Sequence, residues 1–406
     1  MAKILFVNPG SAGHVNPTIA VVKALVDRGE EVVYYASDIY KDKLKDTGAE
    51  IRTLPTEAIM TAFTDHENHH LFNVINGLLK TVDIIVPQIL RETENEHFDY
   101  MIHDSMFSCG YILAQKLNLP SISSVSSFAH TKTSFETFIN HLTSTVSKEE
   151  IQHADETFNN LKAHVESTYD VTIPSRFEVM NNPGNINITY VMKGFQVGYD
   201  AFDPEYYKFV GPSILEPKDS GFMDNIDTTR PVVYISLGTV FNQNIEFFNL
   251  CFEAFANIDA SFVVSIGHDN QLEDFNAIPS NFTVAHVVPQ TELLQHTSLF
   301  LTHAGMNSTN EAMLMEVPML AFPQSADQPV VARQIEKLLV GRQLQLENIT
   351  SRELKQIVLD MLDDIPNYQR NIRKVKSIQS SNKTGYQLAV DHILNFRDQY
   401  VTHSNI

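Results

Sequence analysis

The stretch Lys3-Ile4-Leu5-Phe6-Val7-Asn8-Pro9-Gly10-Ser11-Ala12-Gly13-His14-Val15-Asn16-Pro17 sets the fold. Lys3 to Val7 is a short apolar run of the kind that forms a parallel strand covered on both faces. A glycine-containing turn follows, Asn8 to Gly13. Ile19, Val22, Ala24, Leu25 and Val26 then repeat at helical spacing up to Gly29, a helix stop. Glu31 to Ala36 is again apolar and strand-like. Strand, helix and strand within about 35 residues is the unit of a doubly wound α/β sheet.

The pattern continues outward. Tyr100 to Asp104 and Ser121 to Val125 read as strands separated by a helix over Gly110 to Leu117, and Asn187 to Val191 is another strand. Between Gly211 and Pro231 the composition shifts to Pro, Gly and Asp without periodicity, as in a linker. Strands then resume at Pro231–Leu237, Ser261–Ile266, Phe282–Ala285 and Val317–Phe322. The expected architecture is two doubly wound Rossmann-like domains, 1–212 and 231–385, joined by a linker at 213–230. An amphipathic helix in 386–406 is expected to pack back on the first domain. No repeat relates the halves. In such sheets ligands bind beyond the carboxyl ends of the strands, so both chemically rich turns are expected to face a cleft between the domains.

Composition narrows the function. The 406 residues fit two cores rather than one, and 43% apolar with 19% charged residues is globular composition. A net charge of −20 argues against nucleic acid and against anionic membranes as partners. Cys109 and Cys251 lie far apart in apolar stretches and read as buried free thiols of a reducing compartment. Neither a signal peptide nor a membrane-spanning run is visible, so the expected location is the cytoplasm.

Four constellations carry chemistry. The richest is Thr302-His303-Ala304-Gly305-Met306-Asn307-Ser308-Thr309-Asn310-Glu311, after the apolar run Ser298 to Leu301. A small-residue turn entering a helix, expected over Glu311 to Glu316, aims backbone N–H groups at an anion, with phosphate the usual occupant. The imidazole, carboxamide and hydroxyl suit a diphosphate, and Glu311 suits the hydroxyls of a ribose. The second is the first turn, which lacks the G-x-G-x-x-G spacing of dinucleotide binders but places His14 at a helix start. The helix N-terminus disfavours an imidazolium, so His14 is expected neutral and able to take a proton; a capping or packing role is the alternative. Asp104, at the end of a strand, is expected near His14 to fix its tautomer, or else to cap the helix that follows. The third is Ser236-Leu237-Gly238-Thr239, a phosphate contact or a plain turn. The fourth is Asp327-Gln328, suited to sugar hydroxyls or simply a solvated loop. Asp65-His66-Glu67-Asn68-His69-His70 has a metal-like look but no further ligands, and is read as a loop.

The ordered set Val288-Pro289-Gln290, His303 to Glu311 and Asp327-Gln328 resembles the nucleotide-sugar box of UDP-glycosyltransferases, most closely the bacterial macrolide-type branch. His14 and Asp104 match that family's catalytic pair. The resemblance spans nearly the whole chain and implies the GT-B fold, an N-terminal acceptor domain and a C-terminal UDP-sugar domain. It implies an inverting enzyme moving a hexose, expected to be glucose, from a UDP-sugar to a hydroxyl of a small apolar acceptor such as a flavonoid or macrolide. His14 would deprotonate the acceptor and Asp104 would orient His14. Gln290 with Val288 would meet the uracil, and Glu311 the ribose. His303, Gly305, Asn307, Ser308, Ser236, Gly238 and Thr239 would hold the phosphates, and Asp327 and Gln328 the sugar. No metal or other cofactor is expected beyond the UDP-glucose co-substrate. Asn16, Ile59, Met60, Phe63, Met106, Phe107, Phe128 and Phe135 are the expected acceptor pocket. The chain has no Trp, which plant relatives stack on uracil; Val287 or Val288 would take that place. The rivals are a GT-B sugar-nucleotide epimerase, a non-catalytic nucleotide-sugar binder and, more distantly, an NAD-type oxidoreductase.

Overall fold

A computed structural model describes residues 1–65, 70–217, 219–238, 243–347, 349–379 and 381–401. The chain forms two compact units. The first is Met1–Val191, Gly198–Ile214 and Asn382–Ile406; the second is Met192–Val197 and Leu215–Ser381.

The first unit is built on seven parallel strands in the order β3-β2-β1-β4-β5-β6-β7. They are β1 (Lys3–Asn8), β2 (Glu31–Ser37), β3 (Glu50–Leu54), β4 (Tyr100–Asp104), β5 (Ser121–Val125), β6 (Ile186–Thr189) and β7 (Tyr207–Phe209). Alternation along the central strands splits the core into two layers. Leu5, Val7, Val33, Tyr35 and Met101 pack on one face. Ile4, Phe6, Val32, Tyr34, Tyr100 and Ile102 pack on the other. Burial on both faces explains why these strands read as continuous apolar runs.

The helix Ala12–Asp27 lies on the second face through Val15, Val21, Val22 and Leu25. Beside it runs the helix Gly385–Tyr400, which places Ala389, Val390, Ile393 and Phe396 in the same core. Phe396 packs edge-on to Tyr100 at 5.9 Å, and Arg397 pairs with the buried Glu30. Gly385 is required where it stands, because a Cβ there would come within 2.3 Å of the Pro212 carbonyl oxygen. Each buried side chain of that size contributes roughly 1.5–3 kcal/mol, so the last helix is bound by its apolar stripe.

The second unit has six parallel strands in the order β10-β9-β8-β11-β12-β13. They are β8 (Val232–Ser236), β9 (Ser261–Ser265), β10 (Phe282–Ala285), β11 (Thr297–Thr302), β12 (Met319–Ala321) and β13 (Gly341–Gln343). Val233, Ile235, Phe262, Val264, Leu299 and Leu301 form its core with the phenylalanine-rich helix Ile245–Phe255.

The residues Met192–Val197 belong to this unit although they follow β6 directly. Gln334 donates to the Phe195 carbonyl at 2.9 Å, and the Met192 and Lys193 amides donate to Asn310 and Gln379. The helix after β11 runs Met306–Leu314, starting earlier than the apolar spacing predicts. Asn307 and Ser308 therefore sit in its first turn rather than in a preceding loop. No described helix is long and apolar enough to cross a membrane.

Candidate active site

In each sheet the strand order reverses once, between β1 and β4 and between β8 and β11, and such switch points are where open α/β sheets bind ligands. The rich turns of the sequence fall on these two places.

In the first unit, β1 and β4 are parallel neighbours, with Val7 beside His103, so their carboxyl ends meet at one edge. Ser11 is the N-cap of the helix that carries His14, and its carbonyl accepts the His14 and Val15 amides at 2.9 and 3.1 Å. A buried polar anchor holds this turn. The Asn8 carboxamide donates to the His14 carbonyl at 3.1 Å and to the Tyr34 hydroxyl at 3.0 Å, and Thr18 bonds Tyr34 at 2.8 Å. Gly10 leaves room for the imidazole, since a Cβ there would stand 2.6 Å from that of His14.

His14 Nδ1 lies 2.6 Å from Asp104 Oδ2. The Asp104 side chain is 2% exposed and that of His14 is 19% exposed. Asp104 Oδ1 accepts the backbone N–H groups of Met106 at 2.8 Å and Phe107 at 3.3 Å. The N-cap position of the following helix, Cys109–Leu117, is Ser108, which makes no side-chain capping hydrogen bond. A carboxylate only accepts, so the proton between the two groups sits on Nδ1 and the ring's lone pair is on Nε2. Ser126, at the end of β5, adds its hydroxyl 3.1 Å from Nδ1. The sequence reading did not name Ser126. The clue was its place directly after a strand that neighbours β4. His103, next in sequence to Asp104, is buried, and desolvation pushes it down to about 4.

The predicted acceptor residues divide. Ile59, Phe107 and Phe135 lie within the core cluster, at 1%, 5% and 3% exposure. Phe63 and Met106 are partly buried against that cluster, and Phe63 meets Phe107 at 6.3 Å between ring centres. Phe128 is half-buried and Met60 is exposed. Asn16 is half-buried, and its Oδ1 is covered without a hydrogen-bond partner. A groove of about 660 Å³ is lined in part by Asp38, Thr56, Glu57, Thr61, Asp65 and Ile84, and by none of the predicted acceptor residues.

In the second unit, Ser236 at the end of β8 accepts the Gly238 amide at 3.2 Å. Gly238 has φ +80°, and a Cβ there would meet the His303 ring at 2.6 Å; at Gly305 it would meet Nε2 at 2.4 Å. The imidazole is thus wedged between two glycines. Desolvation lowers its pKa to about 4, so it is neutral and acts as a dipole rather than a cation. Ala304 takes φ +63°, a conformation that L-residues reach only at a cost of about 1–2 kcal/mol. That turn delivers the chain to Gly305, an N-cap with no side-chain acceptor, so no cap competes for the amides of the first helical turn.

Gln290, at the start of the helix Gln290–Leu294, reaches this same helix. Its Nε2 donates to Glu311 Oε2 at 2.6 Å and lies 3.2 Å from Ser308 Oγ, while its Oε1 accepts from the Tyr234 hydroxyl at 2.9 Å. Val288 is 7% exposed, whereas Val287 is 60% exposed. Asn307 is half-buried in the first helical turn. Gln328 is buried, and its Oε1 accepts the amides of Gln324 and Ser325 at 2.8 and 3.2 Å. That oxygen therefore folds the loop. Asp327 is the N-cap of its helix, Gln328–Lys337. Thr239 lies outside the described residues, as do residues 66–69 of the histidine-rich stretch 65–70. Among the described residues no group of three or more His, Cys, Asp or Glu is arranged to hold a metal ion.

Comparison with known proteins bears on this arrangement. The profile of the family described as UDP-glucoronosyl and UDP-glucosyl transferase matches residues 211–385, and that of the glycosyltransferase family 28 N-terminal domain matches residues 4–93. A Bacillus subtilis protein named UDP-glucosyltransferase YojK, itself uncharacterised, is 33% identical over 97% of this chain and 97% of its own length. The oleandomycin glycosyltransferase of Streptomyces antibioticus is 26% identical over 97% of this chain and 90% of its own. Among solved structures, the glycosyltransferase of kitacinnamycin superposes with a TM-score of 0.84 at 22% identity, covering 97% of this chain and 98% of that one. This likeness gives the GT-B fold.

Proposed function

Since the chain belongs to the UDP-glycosyltransferase family, in its bacterial macrolide-type branch, and is a glycosyltransferase, we propose that it transfers glucose from UDP-glucose, with inversion, to a hydroxyl of a small apolar acceptor. The observation that carries the reading is the 2.6 Å contact of His14 Nδ1 with an Asp104 carboxylate whose other oxygen is held by two backbone amides. His14 Nε2 takes the proton of the acceptor hydroxyl. The acceptor oxygen bonds the anomeric carbon, and the bond from that carbon to the diphosphate oxygen breaks. UDP departs with the electron pair. Asp104 stabilises the imidazolium as it forms, as a buried carboxylate does in other base-catalysed transfers.

The second unit serves the leaving group. Uncapped amides at the helix start, Ser308, Asn307 and neutral His303 are preplaced donors for the diphosphate. Glu311 and Gln290 take the ribose and base edge, with exposed Val287 as the apolar face for the uracil, and Asp327 and the Gln328 amide take the sugar. Phe63, Met106, Phe128 and Met60 offer an adaptable wall for flat or macrocyclic acceptors. The two buried free cysteines suit a cytoplasmic setting.

A screen of flavonoid and macrolide acceptors with UDP-glucose, read by released UDP and the glucoside formed, tests this. Acceptor-dependent release is expected. Release without acceptor would favour an epimerase, and UDP-galactose or TDP-glucose in place of UDP-glucose tests the donor.

A further inference from the structure

Tyr234 is the one buried aromatic of β8 whose polar end reaches the donor side of the second unit. Its ring stacks on Phe300 of the adjacent strand β11, centres 4.5 Å apart and planes within 7°. Its hydroxyl donates to Gln290 Oε1 at 2.9 Å. The residue is 1% exposed, and burial holds the phenol neutral well above its ordinary range, with the Ser236 and Ser265 hydroxyls as opposing neighbours.

Two partners fix the orientation of the Gln290 amide. The Glu311 carboxylate only accepts, so it must face the NH2 group; the phenol donates to the oxygen. Without the phenol the amide oxygen has no such donor, and the side chain is free to leave Glu311.

We propose that Tyr234 is a positioning residue for ribose recognition: by holding the Gln290 carboxamide against Glu311 it makes the site select a nucleoside diphosphate that carries a 2′-hydroxyl. This rests on the assignment of Glu311 to the ribose.

The test is calorimetric binding of UDP and 2′-deoxy-UDP, which needs no acceptor. The unsubstituted protein is expected to prefer UDP about 10-fold, as for one hydrogen-bonding group lost from a built site. Tyr234→Phe keeps the ring on Phe300. It should cut that preference roughly 5-fold by weakening UDP alone, leaving 2′-deoxy-UDP within about 2-fold; Gln290→Leu should cut the preference to the same extent, while weakening both nucleotides alike through the lost contact with the base. The double variant should lose no more of the preference than either single one, because both substitutions break one chain of contacts. A purely structural role would weaken both nucleotides together.

A preference unchanged in Tyr234→Phe but lost in Glu311→Ala overturns the role of Tyr234 and leaves the ribose assignment standing. A preference absent at the outset, or unchanged in Glu311→Ala, overturns both. If thermal unfolding shows that Tyr234→Phe does not fold, Gln290→Leu decides: a retained preference there refutes the proposal.

Discussion

The two switch points are alike in backbone and opposite in chemistry. At β1/β4 the turn ends in a helix whose third residue is a histidine, and the neighbouring strand delivers a buried carboxylate to it. At β8/β11 the turn is lined by glycines around a neutral histidine, and the helix begins with a bare glycine cap. In the proposed function the same strand-turn-helix geometry thus serves a base in one unit and an anion cradle in the other. What differs is the partner supplied by the adjacent strand. A carboxylate on Nδ1 gives His14 a use for a second proton; His303, closed in by Gly238 and Gly305, gains none.

This contrast can be broken from either side. His14→Ala should lower turnover by on the order of 10² to 10⁴ while leaving the affinity for UDP within about 2-fold; near-normal rates would end its role as the base. Asp104→Asn should keep the shape and lose roughly 10² in turnover, because an amide no longer stabilises the imidazolium. A pH–rate profile checks it: the limb assigned to His14 should move, and an unmoved limb would detach Asp104 from the base. On the other side, Glu311→Ala should weaken UDP binding about 10-fold with little change in rate at saturating donor.

Gly10→Ala and Gly305→Ala make a matched pair, each driving a methyl into an imidazole. The first should depress turnover with UDP affinity retained, and the second should depress UDP affinity. Identical losses in both would show that the division of labour is wrong. The smallest effect concerns acid. His103 and His130 in the first unit and His303 in the second are pushed down to about 4 by burial. Unfolding lets each bind a proton below its ordinary range near 6.5, so stability is full above that pH and falls as pH drops toward 4. Burial also lowers His392 in the first unit, so with three such groups against one among the described residues, amide exchange should show the first unit loosening earlier than the second.

Much of this was legible because the signals are local. The apolar runs of β1, β2, β8 and β9 declare themselves, and His14, His303 and Glu311 stand in or just after the turns that their glycines shape. The strands that went unread, β3, β7 and β13, are all sheet edges. Glu50-Ile51-Arg52-Thr53-Leu54 and Gly341-Arg342-Gln343 are too polar to read as buried strands, since an edge has a neighbour on one side only.

By itself the sequence determined the α/β alternation, the place of each functional turn and the residue types found there, because these follow from spacing along a few consecutive residues. Only the tertiary structure decided which of those residues touch: Ser126 on His14, Tyr234 on Gln290, Gln290 on Glu311, Met192–Val197 within the second unit, and Ile59 in the core rather than at a surface. Such contacts join residues distant along the chain, and strand order and register bring them together, neither of which is written in local periodicity.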